Sequence, residues 1–177
     1  GDLKWFVKDP IKWVPGIGWG LQFVDSLFVK RNWMADRKKV LGTFQRIRDH
    51  QTPFWVVSFL EGTRATPAKI ARSQAFEQRQ GLPHLERVML PRTKGFVATL
   101  EGLGDLNQAI YIATIAYEGK PPSILGLFFG PVKRIHVHLR RYTSWPETAE
   151  ERTQWIIARY QEKDALLARF YASGSFT

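Results

Sequence analysis

The chain has 177 residues, 44% of them apolar and 24% charged, which excludes a disordered tail, a collagen-like repeat and a bundle of membrane-spanning helices. It contains no cysteine, so disulfides, thiol chemistry and cysteine-ligated metal centres are excluded as well. Basic residues number 26 against 16 acidic ones, and most of the excess lies in residues 1–100. Such a positive field favours an anionic partner: a nucleic acid, a membrane surface or a phosphorylated small molecule.

The N-terminal part predicts an aromatic, basic stretch followed by a helix. Residues 3–33 interleave Trp and Phe with Lys, as segments at a membrane–water boundary do, although core packing would use the same aromatics. Prolines and glycines interrupt this stretch, so we expect a flexible turn at Pro15 and the glycines at 16, 18 and 20, a helix from about Trp19 and a short strand at 27–29. Apolar residues at a period of 3.6 predict a helix over 34–50.

The middle of the chain predicts strands and helices in alternation. Residues 54–60 are a continuous apolar run with β-branched and aromatic side chains, which indicates a buried strand at the centre of a sheet. The elements expected next are a helix over 69–80, a strand over 88–90, a helix over 96–103 and a strand over 109–117.

The C-terminal part predicts a strand over 133–142 and a long helix. The strand alternates apolar and polar residues, with His136 and His138 on the polar face. Both could touch one metal ion, but no third ligand is suitably spaced, which favours a surface or packed pair. Thr148 and Glu151 match a capping box at the start of the helix. The alternation of strands and helices predicts an α/β fold, a layered, mixed and largely parallel sheet flanked by helices.

Two polar clusters follow predicted strands at the point where each strand ends. The first, residues 61–64, joins a carboxylate, a glycine, a hydroxyl and a guanidinium. Gly62 permits a close approach of the backbone to a ligand, and Arg64 offers a planar fork that suits a phosphate. The second, residues 91–95, places two cations and a glycine after a strand, a pattern that an ordinary helix start also shows. In open α/β sheets ligands bind beyond the carboxyl ends of strands, so both clusters are candidate binding sites.

The first cluster and the segments around it resemble the lysophospholipid acyltransferases of the 1-acylglycerol-3-phosphate acyltransferase type. Three blocks carry the resemblance in order: Lys12-x-x-Pro15-x-x-Gly18 with residues 28–31, then residues 59–64, then residues 88–96. Residues 160–167 are also similar to eukaryotic-type members and some bacterial relatives. Leu60 stands where many members have proline, which we interpret as a subfamily trait.

The resemblance implies transfer of a fatty acyl group from acyl-CoA to the free hydroxyl of lysophosphatidate. It implies no metal and no cofactor, since acyl-CoA is a co-substrate. The catalytic residues implied within the chain are Glu61, which would position the glycerol, and Gly62. The substrate-binding residues implied are Lys12, Arg31, Thr63, Arg64, Pro91, Arg92, Thr93 and Gly95. Arg31 and Arg64 would hold the phosphate.

The first block of the family, Asn-His-x-x-x-x-Asp, supplies the general base, and no histidine of this chain has an aspartate at that spacing. We therefore expect the block upstream of Gly1, with residues 1–177 forming one acyltransferase domain truncated on its N-terminal side and inactive alone. The resemblance also implies a membrane-associated enzyme whose site faces the cytosol, at the endoplasmic reticulum in a eukaryote or the inner membrane in a bacterium.

Two non-catalytic functions fit parts of the sequence. A nucleic-acid-binding module would explain the charge and the mixture of Trp with Lys, but not the two polar clusters. A peripheral membrane-binding domain would explain residues 3–33 and leave residues 61–64 unused. The ordered blocks favour the acyltransferase, with a lysophospholipid acceptor, acyl-CoA and a membrane surface as partners and no nucleic acid.

Overall fold

The computed structural model describes residues 3–23, 26–29, 33–51, 53–119, 130 and 134–176. The elements are, in order, β1 (Leu3–Lys8), a 3₁₀ helix (Asp9–Trp13), α1 (Ile17–Phe23), β2 (Leu27–Val29), α2 (Trp33–Asp49), β3 (Trp55–Val57), α3 (Pro67–Gln80), α4 (Thr93–Leu103), β4 (Ile110–Tyr117), β5 (Ile135–Tyr142) and α5 (Ala149–Ser173). They fall into two compact units, unit 1 with Gly1–Arg64 and Pro91–Asn107, and unit 2 with Ala65–Leu90 and Gln108–Thr177. Within the described ranges, no helix has the length and apolar character needed to cross a bilayer.

Unit 1 is built on a three-stranded parallel sheet with the strand order β2–β1–β3. Residues 3–5 of β1 pair with β3, and residues 6–8 of β1 pair with β2. Because the strands are parallel, their carboxyl ends point towards the same edge of the sheet, which we call the carboxyl edge, and β3 ends level with Trp5, three residues before β1 ends. With the separate two-stranded sheet of unit 2, this confirms a mixed α/β fold whose sheets are small and flanked by helices.

The core of unit 1 lies between α2 and α4. Val40, Phe44 and Ile47 share one face of α2 and are buried together with Leu103 of α4. The Arg48 guanidinium ties the two helices together, because its Nε donates to the Gly102 carbonyl at 2.8 Å and a terminal nitrogen donates to Asp105 at 2.9 Å. Hydrogen bonding from Arg48 holds the pKa of the Asp105 carboxyl below its usual value.

Unit 2 pairs β4 and β5 antiparallel along their whole length, and α5 packs on β4. His136 lies 4.8 Å from the Phe170 ring and 3.0 Å from a carboxylate oxygen of Glu118, and His138 lies 5.7 Å from the Phe176 ring. The described residues hold no cluster of three metal-ligating side chains. The two histidines are therefore a packed pair, one of the two arrangements that the sequence favours.

The predicted strand at 88–90 is wrong, because its backbone donors are bonded to side chains. The Asp164 carboxylate accepts the N–H groups of Glu86, Arg87 and Val88 at distances of 2.6 to 3.2 Å, and Ser73 Oγ accepts from Leu90 N at 3.0 Å. With these donors occupied, the segment has no free row of N–H groups to pair with a strand. Residue 88 ends a bend and residues 89–90 have irregular backbone, with Val88 and Met89 buried.

The run at 54–60 is a short edge strand rather than the predicted buried central one. Only residues 55–57 pair, and in the described sheet they pair with β1 alone. Trp55 is 60% exposed and Phe59 is 68% exposed. The chain leaves the sheet after Val57 because a turn closes at once between Phe59 and Gly62. The central position belongs to β1, which the sequence analysis placed in the aromatic, basic stretch.

The other elements confirm the predictions with small shifts at their ends. These are the strands at 27–29 and 109–117, the strand of which 135–142 is observed, and the helices predicted at 34–50, 69–80, 96–103 and after Thr148. The capping box of α5 is present, with Thr148 Oγ1 accepting from Glu151 N at 3.2 Å. The predicted turn is present only at residues 15–16, where Gly16 has φ +77°, and α1 begins at Ile17, two residues before the predicted start, so that Gly18 and Gly20 are helical.

Candidate active site at the carboxyl edge

The first polar cluster begins as a tight turn directly after β3. The N–H of Gly62 donates to the Phe59 carbonyl at 2.9 Å, and Gly62 has φ +67°. This left-handed conformation suits glycine, because a side chain would clash with the local backbone. The turn leaves Glu61 and Thr63 half-buried and Arg64 exposed. The sequence therefore places a carboxylate, a hydroxyl and a cation in succession on one backbone turn at the carboxyl edge.

The second polar cluster lies directly against the first. The N–H of Arg92 donates to the Leu60 carbonyl at 2.8 Å. The Arg92 side chain also lies over Gly62, so that a Cβ added to Gly62 would be 3.0 Å from Nε and 3.3 Å from Cζ of Arg92. Arg92 is nevertheless an exposed residue. The two clusters, which the sequence analysis proposed separately, therefore form one site in which a guanidinium is seated on the glycine turn.

Helix α4 begins within this site. Pro91 is buried, Arg92 is the N-cap with an extended backbone, and Thr93 is the first helical residue. The first N–H groups of a helix and its macrodipole favour a negative charge. Exposed Lys94 adds a further cation in the first turn, and a Cβ on Gly95 would meet nothing within 4 Å. Arg64, Arg92, Lys94 and the start of α4 thus suit an anionic group such as a phosphate.

Two other residues predicted to bind the substrate, Lys12 and Arg31, are not shown to join this site. Lys12 lies in the 3₁₀ helix that follows β1 at the carboxyl edge, and its Nζ is 2.8 Å from Asp9 Oδ2 and 5.3 Å from the centre of the Trp13 ring. Its charge is therefore partly neutralised by Asp9. Arg31 lies outside the described residues.

Two features of the site were not predicted from the sequence. The contact between Arg92 and Gly62 joins residues thirty positions apart, and neither residue's neighbours indicate it. The second feature is strand β1, in which Lys4 is only 5% exposed. The run of aromatic and β-branched residues at positions 5–7, Trp-Phe-Val, is the signal that could have identified this strand.

Comparisons with known proteins match nearly the whole chain. The family model described as Acyltransferase matches residues 2–118, and the one described as Acyltransferase C-terminus matches residues 126–177. A 1-acyl-sn-glycerol-3-phosphate acyltransferase 2 of Brassica oleracea is 37% identical over 180 residues, covering 99% of this chain and 46% of that protein. The human 1-acyl-sn-glycerol-3-phosphate acyltransferase delta is 34% identical over 179 residues, covering 99% of this chain and 47% of that protein. The chain thus spans about half the length of these curated relatives. No solved structure matches.

Proposed function

The chain belongs to the acyltransferase family, and on that basis we propose that it binds the acceptor in a 1-acylglycerol-3-phosphate acyltransferase. In this reaction the free hydroxyl of lysophosphatidate loses its proton and attacks the thioester carbonyl of acyl-CoA. The new ester bond forms, the carbon–sulfur bond breaks, and CoA leaves as the thiol. The observation that carries the proposal is the joining of the two polar clusters, in which the Arg92 side chain lies over the turn at Gly62 and the Arg92 N–H donates to the Leu60 carbonyl.

The cations of this site are proposed to hold the acceptor phosphate. Arg64 and Arg92 each offer a planar fork that can donate two hydrogen bonds to one phosphate, and the start of α4 adds its dipole. The rest of the binding surface is proposed to consist of Arg31, Lys12, Pro91, Thr93, Thr63 and Gly95. Glu61, on the same turn as Arg64, is proposed to accept a hydrogen bond from the glycerol and so orient the reacting hydroxyl.

The proton of that hydroxyl is proposed to go to the histidine of the family's Asn-His-x-x-x-x-Asp block, which residues 1–177 do not contain. The aspartate of that block would orient the imidazole. Backbone N–H groups near the strand ends, including that of Gly62, are proposed to stabilise the oxyanion of the tetrahedral intermediate. Loss of general-base help alone costs about two to four orders of magnitude in rate.

We further propose acyl-CoA as the donor, with no other cofactor, and a membrane-associated enzyme whose site faces the cytosol. Lysophosphatidate is a lipid, whereas the phosphates of CoA are water-soluble and anionic, so the site needs access to both phases. The positive carboxyl edge suits both anions. Although the chain forms two compact units, we propose that residues 1–177 act as one catalytic domain that is completed by the missing block.

Binding of a short-chain lysophosphatidate, kept below its micellar concentration, tests the proposal by calorimetry. Arg64→Ala should weaken this binding about ten- to a hundredfold, because a charge-assisted hydrogen bond contributes roughly 1.5–3 kcal/mol. Arg64→Lys should recover little, since a point charge cannot replace the fork.

The matched control is Arg79→Ala, which removes an exposed arginine of α3 outside the site and should leave the affinity unchanged. An unchanged affinity in Arg64→Ala would refute the phosphate role. A nucleic-acid-binding module would be favoured instead if the chain bound single-stranded DNA tightly and did not bind lysophosphatidate, and if Arg64→Ala abolished the DNA binding.

A further inference from the structure

Three large aromatic side chains stand out from the surface of unit 1. Phe23 is 87% exposed, Trp13 is 77% exposed and Trp19 is 62% exposed. Side chains of this size bury most of their area in ordinary soluble domains, and clusters of exposed ones mark interaction surfaces. Trp5, from the same aromatic stretch of the sequence, behaves differently, because it is half-buried in the central strand and stacks on Phe59. We call Trp13, Trp19 and Phe23 the aromatic surface.

The aromatic surface belongs to one well-braced segment, residues 9–23. The N–H of Gly18 donates to the Val14 carbonyl at 2.7 Å, and Gln22 Nε2 donates to the Lys12 carbonyl at 3.2 Å. At Gly18 the two helices approach so closely that a Cβ would collide with the carbonyl oxygen of Lys12. The backbone that carries the three exposed aromatics is therefore braced by its own hydrogen bonds and by the close contact at Gly18.

This segment lies at the same edge of the sheet as the proposed site. The 3₁₀ helix follows the carboxyl end of β1, and the turn at Gly62 follows the carboxyl end of the parallel neighbour β3. The exposed cations Arg64, Arg92 and Lys94 belong to the same unit, and each is in or within two residues of the contact between Arg92 and Gly62. Exposed aromatics next to cations are the composition of segments that bind an anionic lipid interface.

We propose that the aromatic surface inserts into the headgroup region of an anionic bilayer and holds the carboxyl edge at the membrane. The acceptor then enters the site from the lipid, with its acyl chain still in the bilayer. This route for the acceptor rests on the proposed function, whereas the docking itself does not.

The local chemistry favours lipid over nucleic acid as the occupant. Lys12 already lies over the Trp13 ring, so one face of that ring is not free for a base. Val14, beside it, is 41% exposed and adds aliphatic area, which suits hydrocarbon better than a stacked base.

Vesicle co-sedimentation of the 177-residue chain tests the docking, with phosphatidylcholine vesicles that contain or lack phosphatidylserine. The chain should bind the anionic vesicles more tightly. The triple variant W13S/W19S/F23S should lose at least about tenfold in affinity, because it removes most of the inserted apolar area. Its melting temperature should change little, since the three side chains are exposed.

The matched control is V137S/L139S, which removes two comparably exposed apolar side chains, 58% and 60%, from β5 in unit 2. The control should bind vesicles like the unaltered chain. Undiminished binding by the triple variant, or an equal loss in the control, would overturn the proposal. The proposal would also be overturned if the unaltered chain bound single-stranded DNA but no vesicles, and the triple variant lost the DNA binding.

A measurement on the unaltered chain covers the case in which the triple variant does not fold. Brominated lipids quench tryptophans that enter the bilayer, so they should quench the fluorescence of the chain, and W13F and W19F should each reduce the quenched fraction. Absence of quenching would refute insertion. Short-chain lysophosphatidate separates the two proposals. If the unaltered chain binds lysophosphatidate but no vesicles, only the docking is refuted, and if it binds anionic vesicles but no lysophosphatidate, only the proposed function is refuted.

Discussion

Replacing Gly62 by alanine tests whether the turn at Gly62 seats Arg92 for binding. Gly62 has φ +67°, and moving a non-glycine residue into this region costs roughly 1 kcal/mol. The new Cβ would also lie 3.0 Å from Nε, 3.1 Å from Cδ and 3.3 Å from Cζ of Arg92. Because these contacts are tighter than ordinary van der Waals separations, the Arg92 side chain has to move away from the turn.

Gly81→Ala is the matched control for the backbone strain. Gly81 ends α3 with φ +62°, nearly the angle of Gly62, but a Cβ there would meet nothing within 4 Å. Both substitutions should therefore lower the melting temperature by a similar amount, about 2–4 °C for a strain of about 1 kcal/mol. Only Gly62→Ala should also displace a guanidinium from the proposed phosphate site.

The assay pairs thermal denaturation with calorimetric binding of short-chain lysophosphatidate. We expect Gly62→Ala to weaken binding about tenfold or more, the value of one lost charge-assisted hydrogen bond, and Gly81→Ala to leave binding unchanged. Equal binding by the two variants, at whatever stability, would refute the argument that the turn positions Arg92.

Three further predictions address catalysis, folding and pH. The 177-residue chain should release no CoA from acyl-CoA and lysophosphatidate, whereas a longer version that includes an Asn-His-x-x-x-x-Asp segment should release it. Turnover by the 177 residues alone would contradict the assignment of the general base to the histidine of that segment. Asp164→Ala should lower the melting temperature of unit 2 more than Asp105→Ala lowers that of unit 1, because it removes the acceptor for three backbone N–H groups. The pKa of Asp105 is lower in the folded chain than its unfolded value of about 4, so the bond between ionised Asp105 and Arg48 stabilises the fold at pH values above about 4. This stabilisation is lost progressively as the pH falls below about 4 and Asp105 becomes protonated. Asp105→Asn should therefore flatten the acid side of a plot of melting temperature against pH, and an unaltered plot would contradict this.

Local sequence patterns were sufficient for most helices and for the two polar clusters. The apolar face of α2 and the capping box of α5 depend on residues within one or two turns of each other, so their periodicity and spacing are visible in the chain itself. Glu61, Gly62 and Arg64 were identifiable for the same reason, since a polar turn after an apolar run is a local pattern.

Tertiary structure decided which strand is central, which apolar run is a strand at all, and how the site is assembled. Residues 88–90 have the composition of a strand but form a bend followed by irregular backbone, because Asp164, more than seventy positions away, accepts the N–H of Val88. Arg92 joins the site because its backbone bonds to Leu60 and its side chain lies on Gly62. In these segments the structure depends on which acceptor each backbone N–H group bonds to. When that acceptor is distant in the chain, no local pattern of side chains predicts it.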